Sequence, residues 1–113
     1  MSFHTSVFKL VDHEKEVYSI GVQETLISSD VDQLSKIIQD CLSLENDQIY
    51  LDCTAVTEVD DEGINEIIKS YTALQKVYKY LTVVYLRNSE MEKWIDKTGI
   101  DSYITTAILP ARS

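Results

Sequence analysis

Residues 49–64, Ile-Tyr-Leu-Asp-Cys-Thr-Ala-Val-Thr-Glu-Val-Asp-Asp-Glu-Gly-Ile, constrain the fold more than any other part of this chain. Ile49, Tyr50 and Leu51 are a short apolar run of β-favouring residues, and the chain then turns polar and acidic through Asp60, Asp61 and Glu62. From there the apolar residues fall at Ile64, Ile67, Ile68, Tyr71, Leu74, Val77 and Tyr78, the spacing of one helical face. The pattern predicts a buried strand, a short turn and a helix that starts on acids. Backbone N–H groups in a first helical turn lack intrahelical acceptors and carry partial positive charge, so Asp60, Asp61 and Glu62 suit a cap and first-turn anions. The same groups would favour a phosphate. A plain helix cap and a built-in substitute for a bound phosphate are both open readings of these residues.

The flanking segments fit around that unit. Residues 7–11 and 17–22 are β-rich runs separated by Asp12-His13-Glu14-Lys15-Glu16, which predicts an antiparallel hairpin. Ser28-Ser29-Asp30 can cap a helix, with Ser29 and Asp32 spaced as a capping box and Val31, Leu34, Ile37, Ile38, Cys41 and Leu42 as its apolar face. Residues 80–86 are the most β-favouring run and a candidate central strand. Ser89-Glu90-Met91-Glu92 is a second capping box; Met91, Trp94, Ile95 and Thr98 share one face before Gly99 stops the helix. At that spacing Trp94 reads as core before it reads as a partner contact. Residues 105–109 suggest a last strand, and residues 110–113 a loose tail.

Charge and composition narrow the function. The 113 residues suit one domain, 1–113, burying roughly two-thirds of its unfolded surface. The net charge of −9, with no basic cluster, argues against nucleic acid and anionic membranes as partners. No run approaches the ~20 apolar residues of a membrane span, and the start Met-Ser-Phe-His-Thr resembles no secretion signal, so a cytoplasmic location is expected. Cys41 and Cys53 have neither redox nor zinc spacing and read as buried free thiols. His4, in an expected frayed terminus, and His13, in a turn, carry no information. There is no nucleophile–histidine context, no phosphate loop among three glycines and no metal-ligand spacing. An enzyme, a cofactor and a metal are therefore not expected, although Glu58, Asp60, Asp61 and Glu62 could hold a divalent ion weakly. A phospho-accepting receiver domain, with Asp52 as acceptor and clustered carboxylates on Mg²⁺, is a remote alternative. Its acidic pair and late Lys-Pro are missing where they belong.

Leu51-Asp52-Cys53-Thr54 followed by Asp60-Asp61-Glu62-Gly63 resembles the signature of STAS domains, the fold of the anti-sigma factor antagonists. There a buried strand reading like Leu-Asp-Leu-Ser precedes an Asp-Ser-Ser/Thr-Gly motif. Asp60 and Gly63 match that motif, Asp61 falls on the phosphoacceptor serine and Glu62 on the second hydroxyl residue. Gly21-Val22-Gln23-Glu24 is similar to the Gly-x-x-Asp that ends the family's second strand, with Glu24 for the aspartate. Lys97-Thr98-Gly99-Ile100-Asp101-Ser102-Tyr103-Ile104 resembles its Leu-Thr-Gly-Leu-x-x-x-Phe/Ile end, whereas Lys79-Tyr80 stands where relatives usually have glycines.

The resemblance covers nearly the whole chain. It implies a single-domain α/β fold: a mixed sheet of four to five strands with three to four packed helices, the acidic loop exposed at one edge. It also implies a non-catalytic interaction module in a partner-switching system, whose partner is an anti-sigma factor or a serine kinase of the anti-sigma type. In that family, phosphorylation of the loop serine adds charge that breaks docking. Asp61 supplies a permanent charge and accepts no serine-type phosphate, leaving either a constitutive non-binder or a binder whose partner is adapted to acid. Asp52, Thr54, Thr57, Gly21 and Glu24 are the expected supporting residues, with Thr54 and Thr57 as further candidates for modification. A STAS-type regulatory subunit of a lipid-transporting ABC system is the alternative; its partner would be the transporter ATPase or another STAS protein.

Overall fold

After an initial hairpin the chain alternates helix and strand, which brings successive strands in parallel through helical crossovers. The structure, a computed structural model, describes residues 3–9 and 15–111. Its elements are β1 (Phe3–Lys9), β2 (Glu16–Leu26), a 3-10 turn (Ser28–Asp30), α1 (Val31–Cys41), β3 (Gln48–Val59), α2 (Asp61–Gln75), β4 (Tyr80–Leu86), α3 (Glu90–Thr98), a second 3-10 turn (Ile100–Ser102) and β5 (Thr105–Leu109). The five strands lie in the order β1-β2-β3-β4-β5, with β1 antiparallel to β2 and all later pairs parallel.

A sequential order with right-handed crossovers sends every connecting helix to the same side of the sheet. Burial agrees: Ile49, Leu51 and Cys53 of β3 are buried and join Leu34, Ile38, Ile67, Leu74, Met91 and Ile95 from the helices in one core. The intervening Tyr50, Asp52 and Thr54 face the open side and are half-buried. There Phe8 lies opposite Val17 and packs edge-on against Tyr50, with ring centroids 5.7 Å apart, which shelters Val17.

Several sequence expectations change. β3 does not stop near Leu51 but continues to Val59, because β2 also runs on, to Leu26, and pairs with it as far as Leu26–Val59. The expected loop is thus strand, and β3, not β4, is the central strand. His4 is not frayed; it lies in β1 opposite Gly21. The hairpin turn with His13 falls on residues 10–14, outside the described residues. The Ser29–Asp32 capping box does not form: Asp30 is buried, and its carboxylate accepts from the Thr25 hydroxyl at 2.8 Å and the Ile27 N–H at 3.0 Å. In the second box Ser89 Oγ accepts from Glu92 N–H at 3.2 Å, while Glu92 reaches the N–H of Asn88 at 2.9 Å. Trp94 is half-buried against the core, with Lys97 Nζ 4.6 Å above its ring.

Helix α2 ends at Gln75, earlier than its apolar spacing suggests, leaving Val77 41% and Tyr78 84% exposed. Tyr78 takes the left-handed conformation at φ +62° so that the Lys79 N–H can donate back to Leu74 O at 3.0 Å, the closure a glycine usually provides. The following Lys79 is buried and donates from Nζ to the carbonyls of Leu44 at 2.6 Å and Asn46 at 2.5 Å, tying the α1–β3 loop to the start of β4. Left-handed backbone costs a non-glycine residue roughly 1–2 kcal/mol, and the exposed Tyr78 ring gains little in return. Tyr78→Gly is therefore expected to stabilise the fold by about 1 kcal/mol in urea denaturation; a loss of stability would contradict this account of the helix end.

Candidate functional site

Two loops meet at one end of the sheet, where β2 and β3 finish side by side. Asp60 follows β3 with an extended backbone and caps α2: one carboxylate oxygen accepts from the Gly63 N–H at 2.9 Å. The other accepts from the Ser28 N–H at 2.9 Å, at the start of the 3-10 turn after β2. A single carboxylate therefore holds two loops together. Gly63 is required by packing: a Cβ there would lie 2.0 Å from the carbonyl oxygen of Leu26, the last residue of β2. The first turn of α2 rests directly on β2's end.

With the loop held in this way, Asp61 and Glu62 point outward as exposed first-turn acids. Glu24 stands nearby at an irregularity of β2, where the pairing with β3 shifts register; it is exposed, in the left-handed region at φ +68°. The Thr57 hydroxyl donates to its carbonyl at 3.1 Å. The structure thus gathers Glu24, Ser28, Thr57, Asp60, Asp61, Glu62 and Gly63 at one end of the sheet. Asp52, Thr54 and Gly21 lie elsewhere. Asp52 pairs with Gly21 in mid-sheet, eight residues before Asp60, roughly 25 Å at ordinary strand rise. Its carboxylate accepts from the N–H and hydroxyl of Thr54 at 3.0 and 2.7 Å.

The receiver arrangement is not formed. That fold orders its parallel strands 2-1-3-4-5, whereas this sheet runs in sequence with an antiparallel first strand. Among the described residues no group of three or more His, Cys, Asp or Glu side chains is placed to hold a metal. Both cysteines are buried and free. Burial pushes the Cys41 thiol up to about 11, with Asp40 adding and Lys79 opposing. Burial, with Asp52 adding, raises Cys53 further. Such thiols stay protonated and unreactive near neutrality.

Sequence reasoning missed Ser28 and Asp30 as members of this junction. Their pattern, Ser-Ser-Asp before an apolar periodicity, is also that of an ordinary cap, and the partners Asp60 and Thr25 are visible only once β2 and β3 are paired.

No family model matches the chain, and no curated protein matches it in sequence. Solved structures do match in fold. An anti-sigma factor antagonist from Mycobacterium paratuberculosis superposes with a TM-score of 0.74 at 21% identity, covering 94% of this chain and 86% of that one. This is the fold of the anti-sigma factor antagonists. A Thermotoga maritima protein assigned to the same class gives 0.73 at 15% identity, covering 91% of this chain and 85% of its own. The Bacillus cell fate determinant SpoIIAA, in its phosphorylated form, gives 0.58 at 16% identity over 97% and 93%. At these identities the likeness establishes the fold, the mixed five-stranded sheet with three helices on one domain.

The junction makes a graded prediction. Gly63→Ala must displace a backbone carbonyl and is expected to cost about 3 kcal/mol or more. Asp60→Ala removes the cap of two loops and should cost about 2 kcal/mol. Asp61→Ala, on the free surface, should stay within about 0.5 kcal/mol. Thermal or urea unfolding of the three variants would contradict this geometry if Asp61→Ala proved as costly as Asp60→Ala.

Proposed function

We propose that this chain is a non-catalytic interaction module of a partner-switching system, docking through the β3–α2 loop on an anti-sigma factor kinase. Asp61 would hold a permanent negative charge where the antagonists carry their phosphoacceptor serine. The supporting observation is the division of labour at the junction. Asp60 and Gly63 are used up in holding the loop, whereas Asp61 is exposed and, among the described residues, makes no side-chain hydrogen bond or ion pair. It is a charge presented to a partner rather than one spent on the fold. The anti-sigma factor antagonist fold supports the regulatory role, and the existence of SpoIIAA in unphosphorylated and phosphorylated forms is consistent with a charge-dependent use of this fold.

Phosphorylation places ≈ −1.5 to −2 charges at its site, and a carboxylate supplies one of the same sign. A charge difference worth only about 1.4 kcal/mol at an interface changes affinity tenfold. Asp61→Ser removes that charge and leaves the two capping hydrogen bonds of Asp60 untouched. The test is affinity purification of the tagged chain from its native cells, wild type beside Asp61→Ser, with measurement of affinity for the recovered partner. A serine kinase of the anti-sigma type is expected, its affinity altered about tenfold or more by the substitution. Recovery of a transporter ATPase instead, equally by both forms, would overturn the reading and move the function to another face.

A further inference from the structure

Helices α1 and α2 lie side by side on the sheet, and along their seam runs an open groove of about 360 Å³, lined by Asp32, Ser35, Ile38, Glu66, Lys69 and Ser70 among others. Two α2 side chains in it are not explained by folding. Ser70 is 1% exposed, yet its Oγ has no hydrogen-bond partner among the described residues. A mid-helix serine hydroxyl commonly donates to the carbonyl one turn back, and buried hydroxyls left unpaired are rare in folded proteins. Glu66, one turn earlier on the same face, is 6% exposed and has no ion-pair partner among the described residues. Burial raises its carboxyl pKa; Lys69 on α2 opposes the rise and Asp32 on α1 adds to it. Residues four apart on a helix point the same way, so Glu66 lines the groove above the enclosed Ser70 hydroxyl, beside a second carboxylate, Asp32 of α1.

Such a groove offers acceptors and a negative bias, and the complement is a cationic hydrogen-bond donor. We propose that the α1–α2 groove receives a lysine or arginine side chain of the docking partner, its charged nitrogens donating to the Glu66 carboxylate beside Asp32. The proposal rests on the docking reading above. The Ser28–Asp60 hydrogen bond joins the entry to α1 with the start of α2, so a partner seated on the acidic loop also reaches the seam. The groove is open to the outside, as a side chain presented from another molecule requires, and the chain's net charge of −9 favours a basic partner surface.

The ¹⁵N-labelled chain titrated with capped Gly-Arg-Gly and Gly-Lys-Gly peptides, with capped Gly-Gln-Gly as control, tests the site directly. Saturable amide shifts centred on Ser35, Glu66 and Ser70 are expected with the basic peptides only, and at least tenfold weaker in Glu66→Gln. Shifts scattered over the exposed acids and unchanged in Glu66→Gln, or no saturable shift, would overturn the proposal.

Glu66→Gln should fold well. Because the folded carboxyl titrates above its ordinary value of 4.5, ionisation opposes folding, and the burden grows as pH rises through the folded pKa. The variant should therefore melt higher than wild type at pH 7 and lose that advantage near and below pH 4.5. The peptides involve neither the kinase nor residue 61. A negative result removes the groove and leaves the docking reading standing, while an indifferent kinase leaves the peptide result intact.

Discussion

The Asp60 carboxylate holds one end of this sheet together. Its two oxygens take N–H donors from two separate loops, Gly63 at the start of α2 and Ser28 after β2, and those loops follow the two most heavily paired strands of the sheet. The carboxylate neutralises the positive end of α2 and fixes the register in which α2 sits on β2. The absence of a side chain at Gly63 completes the arrangement, because the first turn of α2 lies against the Leu26 carbonyl where a methyl group has no room. Asp61 and Glu62 project into solvent because their neighbours on either side are committed to the fold.

This separation would let one short stretch both hold the fold and, under the proposed function, present a docking surface. A docking surface that changes affinity with charge must tolerate that charge without unfolding, and here the stabilising anion and the displayed anions are different residues. A half-buried structural acid beside exposed positions would let serine, phosphoserine or aspartate occupy the displayed position on the same frame. The open seam between α1 and α2 follows from the same geometry: both helices start at the Ser28–Asp60 junction and lie on one face of a sequentially ordered sheet.

Much of this was legible in the sequence, for identifiable reasons. The periodicity of Ile64, Ile67 and Leu74 marks a helix packed on one side, and the run at residues 80–86 marks a strand, so local pattern and tertiary burial agree there. The motif Asp60–Gly63 carried enough specificity to imply the fold. Pairing between distant segments escaped. Thr54 to Val59 looks like a polar loop until β2 is laid beside it, and Asp30 looks like a surface cap until Thr25 and the Ile27 amide turn toward it. Lys79, between two exposed tyrosines, shows no sign of burial, because the carbonyls that accept from it belong to a loop more than thirty residues earlier. Ser70 and Glu66 read as ordinary helix positions; only α1 laid alongside reveals that they face a groove.

Asp61 is proposed to occupy the position of a phosphoacceptor serine. The most direct test is phosphotransfer: the co-purified kinase incubated with labelled ATP and either the wild type or the Asp61→Ser variant, the modified site located by mass spectrometry. The account predicts that the variant takes up label at position 61 while the wild type takes up none there. A variant that binds the kinase but remains unlabelled at position 61 would contradict it.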